Sequence, residues 1–282
     1  MALIAVLSYI FLFVVSLSGC GGFNLETTTE RRVITAVPPE MQSDANSNHP
    51  AIAADGRLVA FMSDATNLVI SPTNGAHNIF VKNTGSGVAT RVSSDSNGLA
   101  SNKDSDYPAI SADGRFVAFE SSASNLVPDD TNNMCTAASG TSINCPDVFL
   151  RDTQTGETRR ISTDAAGAQG DRESTHPSIS ADGRFVAFNS GASNIVPGDS
   201  NGVTDIFIKD TRTGAVTQAS SGTGGERGND NSNLPAIPAD GRFVAFMSAA
   251  SSPRADAQHR KAETLLLAMQ HGLLVRRSPD AP

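Results

Sequence analysis

Hydrophobic residues in the middle of this chain come in short bursts and never at a sustained helical period. One kind of burst reads Phe-Val-Ala-Phe, apolar at successive positions, as expected of a strand covered on both faces. A second reads Asp-Val-Phe-Leu-Arg-Asp at 147–152, echoed by Asp-Ile-Phe-Ile-Lys-Asp at 205–210 and Asn-Ile-Phe-Val-Lys at 78–82. A shorter segment precedes the first burst, at 108–111 and 177–180, and another follows the second, at 157–162 and 215–220. Between the first two segments stands Ala-Asp-Gly-Arg, a tight-hairpin signal because glycine accepts positive φ. A Thr-Gly turn leads to the last segment. The pattern predicts four short antiparallel strands per unit.

The units repeat. SADGRFVAF occupies 111–119 and recurs unchanged at 180–188, with variants AADGRLVAF at 53–61 and PADGRFVAF at 238–246. The Asp-Gly pair falls at Asp55, Asp113, Asp182 and Asp240, at intervals of 58, 69 and 58 residues. The excess of 11 in the middle interval marks an insertion, and it holds Cys135 and Cys145. Periods of this size indicate stacked units that bury their faces against one another. Phe61, Phe119, Phe188 and Phe246, with Phe80, Phe149 and Phe207, are expected to interdigitate between units.

The pattern SADGRFVAF…DIFxxDxxTGxxxRxS resembles the TolB-like, WD-repeat-like bacterial propellers over residues 29–250, although the chain contains no tryptophan. The expectation is an all-β chain: a partial β-propeller of four-stranded antiparallel blades, behind an N-terminal signal helix. Three blades are complete, and a half blade follows. Units start near residues 50, 108, 177 and 235. Residues 30–35 look like a lone fourth strand. After residue 251 the composition turns to Ala, Leu and Arg, so 252–282 reads as an atypical tail, frameshifted or truncated. The rival is a helix at 262–277 capping the open edge. An open arc of this kind would be poorly stable alone.

Residues 3–17 form an apolar run too short to cross a bilayer comfortably, which takes about 20 residues in a helix. The run fits a secretion signal over residues 1–19, with 20–28 as linker. Its end, Leu17-Ser18-Gly19-Cys20, resembles the bacterial lipobox. That resemblance implies cleavage before Cys20 and acylation of its thiol, and Gly21 hints at the outer membrane. The alternative is an ordinary signal peptide or uncleaved anchor with Cys20 incidental. In an exported chain Cys135 and Cys145 are then a candidate disulfide; two free thiols are the alternative.

The formal net charge of −8 argues against nucleic acid, which demands a basic stripe. Gly198-Asp-Ser-Asn-Gly202 matches the Gly-x-Ser-x-Gly elbow, but it lies between two expected strands with no helix following, so it reads as a loop. In the same loop Asp199, Asn201 and Asp205 alternate oxygen ligands around a glycine, as a calcium site can. Turn closure by the same side chains is the competing explanation. His49 and His176 precede the unit-opening proline, where Tyr107 and Leu234 stand in the other units. That variation reads as solvent-facing loop positions. No catalytic constellation emerges and no cofactor is required.

The expected function is a lipid-anchored, non-catalytic module of the cell envelope, on the periplasmic face of the outer membrane or the cell surface. It would bind an envelope protein or glycan, with the loops 67–78, 125–147 and 194–205 as contact surfaces. By resemblance, TolB-like propellers contact envelope proteins. The alternative is the propeller part of a truncated serine peptidase or glycan-active enzyme.

Overall fold

The computed structural model describes residues 42–250 except 72, 133–134, 137–141, 144 and 222–225, plus the backbone of four short strands at 135–136, 142–143, 263–268 and 273–276. The chain divides into residues 1–34 and 35–282. The signal helix, Cys20 and the strand expected at 30–35 lie outside the described residues.

The described part of the second unit is built of antiparallel strands. The first sheet holds β1 (Ser47–Ile52), β2 (Leu58–Ser63), β3 (Asn78–Asn83) and β4 (Ala89–Arg91), hydrogen-bonded in that order. The second holds β5 (Ser105–Ile110), β6 (Phe116–Ser121), β9 (Asp147–Asp152) and β10 (Thr158–Arg160); the insertion forms a small hairpin of β7 (Cys135–Thr136) and β8 (Ser142–Ile143). The third contains β11 (Ser174–Ile179), β12 (Phe185–Ser190), β13 (Asp205–Asp210) and β14 (Val216–Gln218). The fourth contains β15 (Ser232–Ala236), β16 (Phe243–Ser248), β17 (Glu263–Ala268) and β18 (Leu273–Arg276).

The fourth sheet corrects two expectations. The last unit is not a half blade, and within the stretch where a capping helix was the rival expectation, Glu263–Ala268 and Leu273–Arg276 are strands: β17 pairs with β16, and β18 pairs with β17. A run such as Leu265-Leu266-Leu267 fits a buried helix or a buried strand equally well by periodicity. The unpaired N–H and C=O groups along the free edge of β16 decide for the strand.

One packing rule serves every junction. Val117, Phe119 and Phe149 point from the second sheet onto Ala60, Ile79 and Val81 of the first. The opposite face of the second sheet, with Ala118, Val148 and Leu150, receives Val186, Phe188 and Phe207 of the third. Ala187, Ile206 and Ile208 then receive Val244 and Phe246 of the fourth. The second and third sheets thus each wedge two aromatic rings, and the fourth wedges Phe246 alone, into a shallow face of small and branched residues. Phe119 and Phe149, 5.9 Å apart, and Phe188 and Phe207, 6.0 Å apart, are buried as expected. Phe61 is only half-buried, because among the described residues no sheet packs on its face.

The Ala-Asp-Gly-Arg turns join the sheets to one another. Ala54 N donates to Ala112 O at 3.0 Å, Ala112 N to Ala181 O at 2.9 Å, and Ala181 N to Ala239 O at 3.2 Å. Within each turn the aspartate folds back; Asp113 Oδ1 accepts from Ser111 Oγ at 2.6 Å and Arg115 N at 3.0 Å. Gly183, at φ +70°, is required twice over, since a Cβ there would also strike the Phe116 ring of the preceding sheet. The turn arginine reaches the last residue of the third strand: Arg115 Nη2 to Asp152 Oδ2 at 2.7 Å, and Arg184 Nη2 to Asp210 Oδ2 at 2.9 Å. The hydrogen bond from Arg115 draws Asp152 down to about 2.

Candidate functional site

The first strands of successive sheets converge, β1 on β5, β5 on β11 and β11 on β15. Each carries one residue before a proline: His49, Tyr107, His176 and Leu234. At each of these points the pairing with the second strand slips, between Asn48 and Ala51, Asp106 and Ala109, Thr175 and Ser178, and Asn233 and Ala236. The extra residue bulges out with φ of 50°, 49°, 51° and 54°. No glycine occupies these left-handed positions, so each costs about 1–3 kcal/mol. A strain repeated in four sheets must be held by its surroundings.

The bulges gather the rings. His49 stacks on Tyr107 with centroids 4.2 Å apart, and Tyr107 meets His176 at 4.3 Å. With Leu234 and the proline after each, they line a shallow groove of about 240 Å³. His49 is exposed and His176 partly so, as expected of solvent-facing positions, but both stand on strands and not in loops, and both meet Tyr107. Side-chain identity varies between units while backbone geometry does not, which is why a sequence comparison of the four positions dismissed them.

Acidic groups flank the ladder. Asp106 lies 4.0 Å from His49 Nδ1 and 3.4 Å from His77 Nδ1, while His77 Nε2 reaches Asp64 at 3.2 Å. Burial opposes protonation of His77, but the hydrogen bond to Asp106 and the charges of Asp104, Asp106 and Asp64 raise its pKa. Glu120 Oε2 accepts the bulged His176 N–H at 2.7 Å. Burial pushes Glu120 up to about 7, and Asp106 adds to the effect while the His176 N–H opposes it. Burial and the nearby His49 lower His176.

The other sequence candidates sit away from this groove's lining. In the β12–β13 loop Asn201 Nδ2 donates to Asp205 Oδ2 at 2.7 Å and to Gly228 O at 3.0 Å. Asp199 stands 4.0 Å from Arg227, and burial first, then Asp205, raises its pKa. Asp205 also accepts from Ser220 Oγ. These bonds close the loop; among the described residues no group of three or more His, Cys, Asp and Glu side chains is placed to hold a metal ion. Ser200 is exposed and a strand follows it. The second sheet has a similar arrangement: Asp147 accepts from Ser162 at 2.6 Å and Gln169 at 2.8 Å. Burial holds Asp147 at about 6 despite the opposing charge of Arg160, 3.4 Å away. Cys135 lies on β7 opposite Ile143, and Cys145 is buried just beyond β8. Among the described residues no helix is long and apolar enough to cross a membrane.

Two further repeated features escaped the sequence reading. Serine pairs join first and second strands, Ser105 to Ser121 at 2.8 Å and Ser174 to Ser190 at 2.9 Å. Loop asparagines reach back to main chain, Asn125 to Ala100 O and Asn194 to Gln169 O, each at 2.8 Å. The asparagine's signal was present as Asn67, Asn125 and Asn194, each directly ahead of a Leu or Ile.

Comparison with solved structures decides the fold. TolB from Acinetobacter baumannii superposes over 86% of this chain and 46% of its own, with 17% identity and a TM-score of 0.50. This chain has a TolB-like β-propeller fold. The propeller domain of the trilobed protease from Pyrococcus furiosus matches over 86% of this chain and 59% of that chain, at 14% identity and TM-score 0.46. An oligogalacturonate lyase from Vibrio parahaemolyticus matches over 88% and 59%, at 16% identity and TM-score 0.47. This chain spans less than half the length of the TolB chain it matches. No family model and no curated protein matches the sequence.

Proposed function

We propose that this propeller is a non-catalytic binding module of the cell envelope, and that its ligand enters the groove of His49, Tyr107 and His176. The strained bulge repeated in all four sheets carries the reading. Backbone strain retained at four equivalent points, each presenting a side chain into one groove, is the mark of a surface kept for contact. Envelope placement rests on the apolar leader ending at Cys20, proposed as a lipid anchor, and on the likeness to TolB. The pair Cys135 and Cys145 is proposed as a disulfide closing the insertion, worth about 2–3 kcal/mol for a loop this short.

The protein supplies its own probe. It has no tryptophan and two tyrosines, Tyr9 and Tyr107. In a Tyr9→Phe background all tyrosine emission comes from the groove. Envelope peptides and oligosaccharides are titrated against it. A saturable change that His176→Ala abolishes supports the reading; ligands bound equally well by wild type and His176→Ala remove it. The anchor is tested separately: Cys20→Ser should move the protein from the membrane pellet to the soluble fraction.

A further inference from the structure

The row of sheets has two unlike ends. At each junction the later sheet gives its phenylalanine face, and the earlier sheet receives it on small and branched residues. The first sheet therefore ends the row with an unused giving face, and the fourth with an unused receiving face.

Equivalent residues show what each end lacks. On the giving faces Val117, Val186 and Val244 are fully buried, as are Phe119 and Phe188, and Phe246 is 1% exposed. Val59 and Phe61 hold the same places in the first sheet and are only half-buried. On the receiving faces Ala60, Ala118 and Ala187 are fully buried, whereas Ala245 is half-buried. Met62 keeps 5% exposure under the second sheet; Met247, its counterpart in the fourth, keeps 42%.

Hydrogen bonds stop at the same two ends. The series between turns runs from Ala54 N to Ala112 O and onward to Ala239 O. Among the described residues Ala54 O receives no donor and Ala239 N finds no acceptor, and both alanines are exposed. Cations on the giving faces reach back to the preceding unit: Arg151 Nη1 donates to Asp95 O at 2.7 Å, and Lys209 Nζ to Asp164 O at 2.6 Å. Lys82 holds the same position on β3, opposite Val59, and makes no such bond among the described residues.

We infer that two copies of this chain associate head to tail, with the first sheet of one seated on the fourth sheet of the other. Each end carries what the other lacks: a phenylalanine face against small residues, and a turn carbonyl against a turn N–H. Two like ends would set carbonyl against carbonyl or N–H against N–H, so the contact is heterologous. Burial of apolar side chains drives it, and the turn bond fixes its register. Two such contacts would bring eight sheets into one ring, within the four to eight of propellers; a contact that does not close would continue as a row. Either form uses the same two faces. The inference does not depend on the binding reading of the His49, Tyr107 and His176 groove.

The full chain carrying Cys20→Ser, which removes the proposed anchor, is followed by sedimentation velocity from about 1 to 100 µM. Separate chains are expected at the lower end and association that rises with concentration. Val59→Glu and Ala245→Glu each put a carboxylate into one of the two faces, and each alone should weaken association at least about tenfold. Lys82 lies across from Val59 and offers the first carboxylate a counter-charge; circular dichroism checks that both variants fold. An equimolar mixture of the two should recover pairs, because each variant contributes one intact face. A chain that stays monomeric up to about 100 µM overturns the inference without any variant, and cover of the first sheet by another part of the same chain would give that result. Association that only one variant weakens overturns it too, since contact between like ends needs only one face. So does a mixture that associates no better than its components.

Discussion

Leu234 isolates the strain at the bulge from the chemistry of the rings. It holds φ of 54°, is 53% exposed, and makes no ring stack. Leu234→Gly therefore removes an unfavourable backbone conformation and little buried surface. The expected gain is about 1 kcal/mol, less the added freedom of glycine in the unfolded chain. The same change at His176 would gain the same relief and lose the groove. Thermal melting of Leu234→Gly checks the argument, and a clear fall in Tm would show that these bulges carry no strain. Gly183→Ala runs the other way. It combines positive φ with a clash against Phe116 and should cost at least about 1–3 kcal/mol in urea unfolding.

Glu120 also makes stability depend on pH. The folded protein keeps its proton up to about 7, whereas an unfolded glutamate releases it near 4.5. Between those values the folded state binds more protons, so this group's contribution falls as pH rises. Asp152, drawn down to about 2 by Arg115, works in the opposite sense and is lost only as pH drops below 3.8. Glu120→Gln should then gain Tm relative to wild type at pH 8 and show little difference at pH 4. Parallel melting curves for the two proteins across that range would contradict the assignment.

At the scale of strands and turns, the recurring Asp-Gly-Arg has three duties. Aspartate closes its own turn, glycine permits the close approach of the preceding sheet, and arginine ties the second strand to the end of the third. Only the turn itself, closed around a glycine that accepts positive φ, was legible from composition and spacing, because turn chemistry is local; the glycine's contact with the preceding sheet was not. The arginine's partner, Asp210, stands 26 residues away from Arg184, and nothing in the local pattern announces the pairing. The tail was misjudged for a related reason. Its leucines resemble a helix or a strand, and the choice came from the edge of β16 waiting beside them. The inner bulge was invisible for a third reason. Its repeated property is a backbone angle, and the side chains at His49, Tyr107, His176 and Leu234 share no chemistry.

Across the whole molecule, position in the row of sheets sets what each copy of the repeat is worth. Phe119 is fully buried between two sheets, whereas Phe61 has a sheet on one side only among the described residues. Phe119→Ala should cost about 3–5 kcal/mol and Phe61→Ala distinctly less, measured in parallel denaturant titrations. Equal losses would mean that something covers the first sheet in solution. Removal of residues 251–282 exposes the edge of β16, and the shortened protein should aggregate at concentrations where the full chain remains dispersed. Light scattering of the two at matched concentration reads this directly.

The order of residues alone determined that the chain would repeat, that each unit would be four short strands, and that phenylalanines would form the seams. Those properties follow from periodicity and turn residues, which act over a few positions. Tertiary structure decided which residues meet: the turn-to-turn hydrogen bonds, the arginine–aspartate ties, the last two strands, and the ladder of His49, Tyr107 and His176. Each joins groups from different sheets or different strands. Their proximity exists only once the wedges are packed side by side and the inner strands are drawn together.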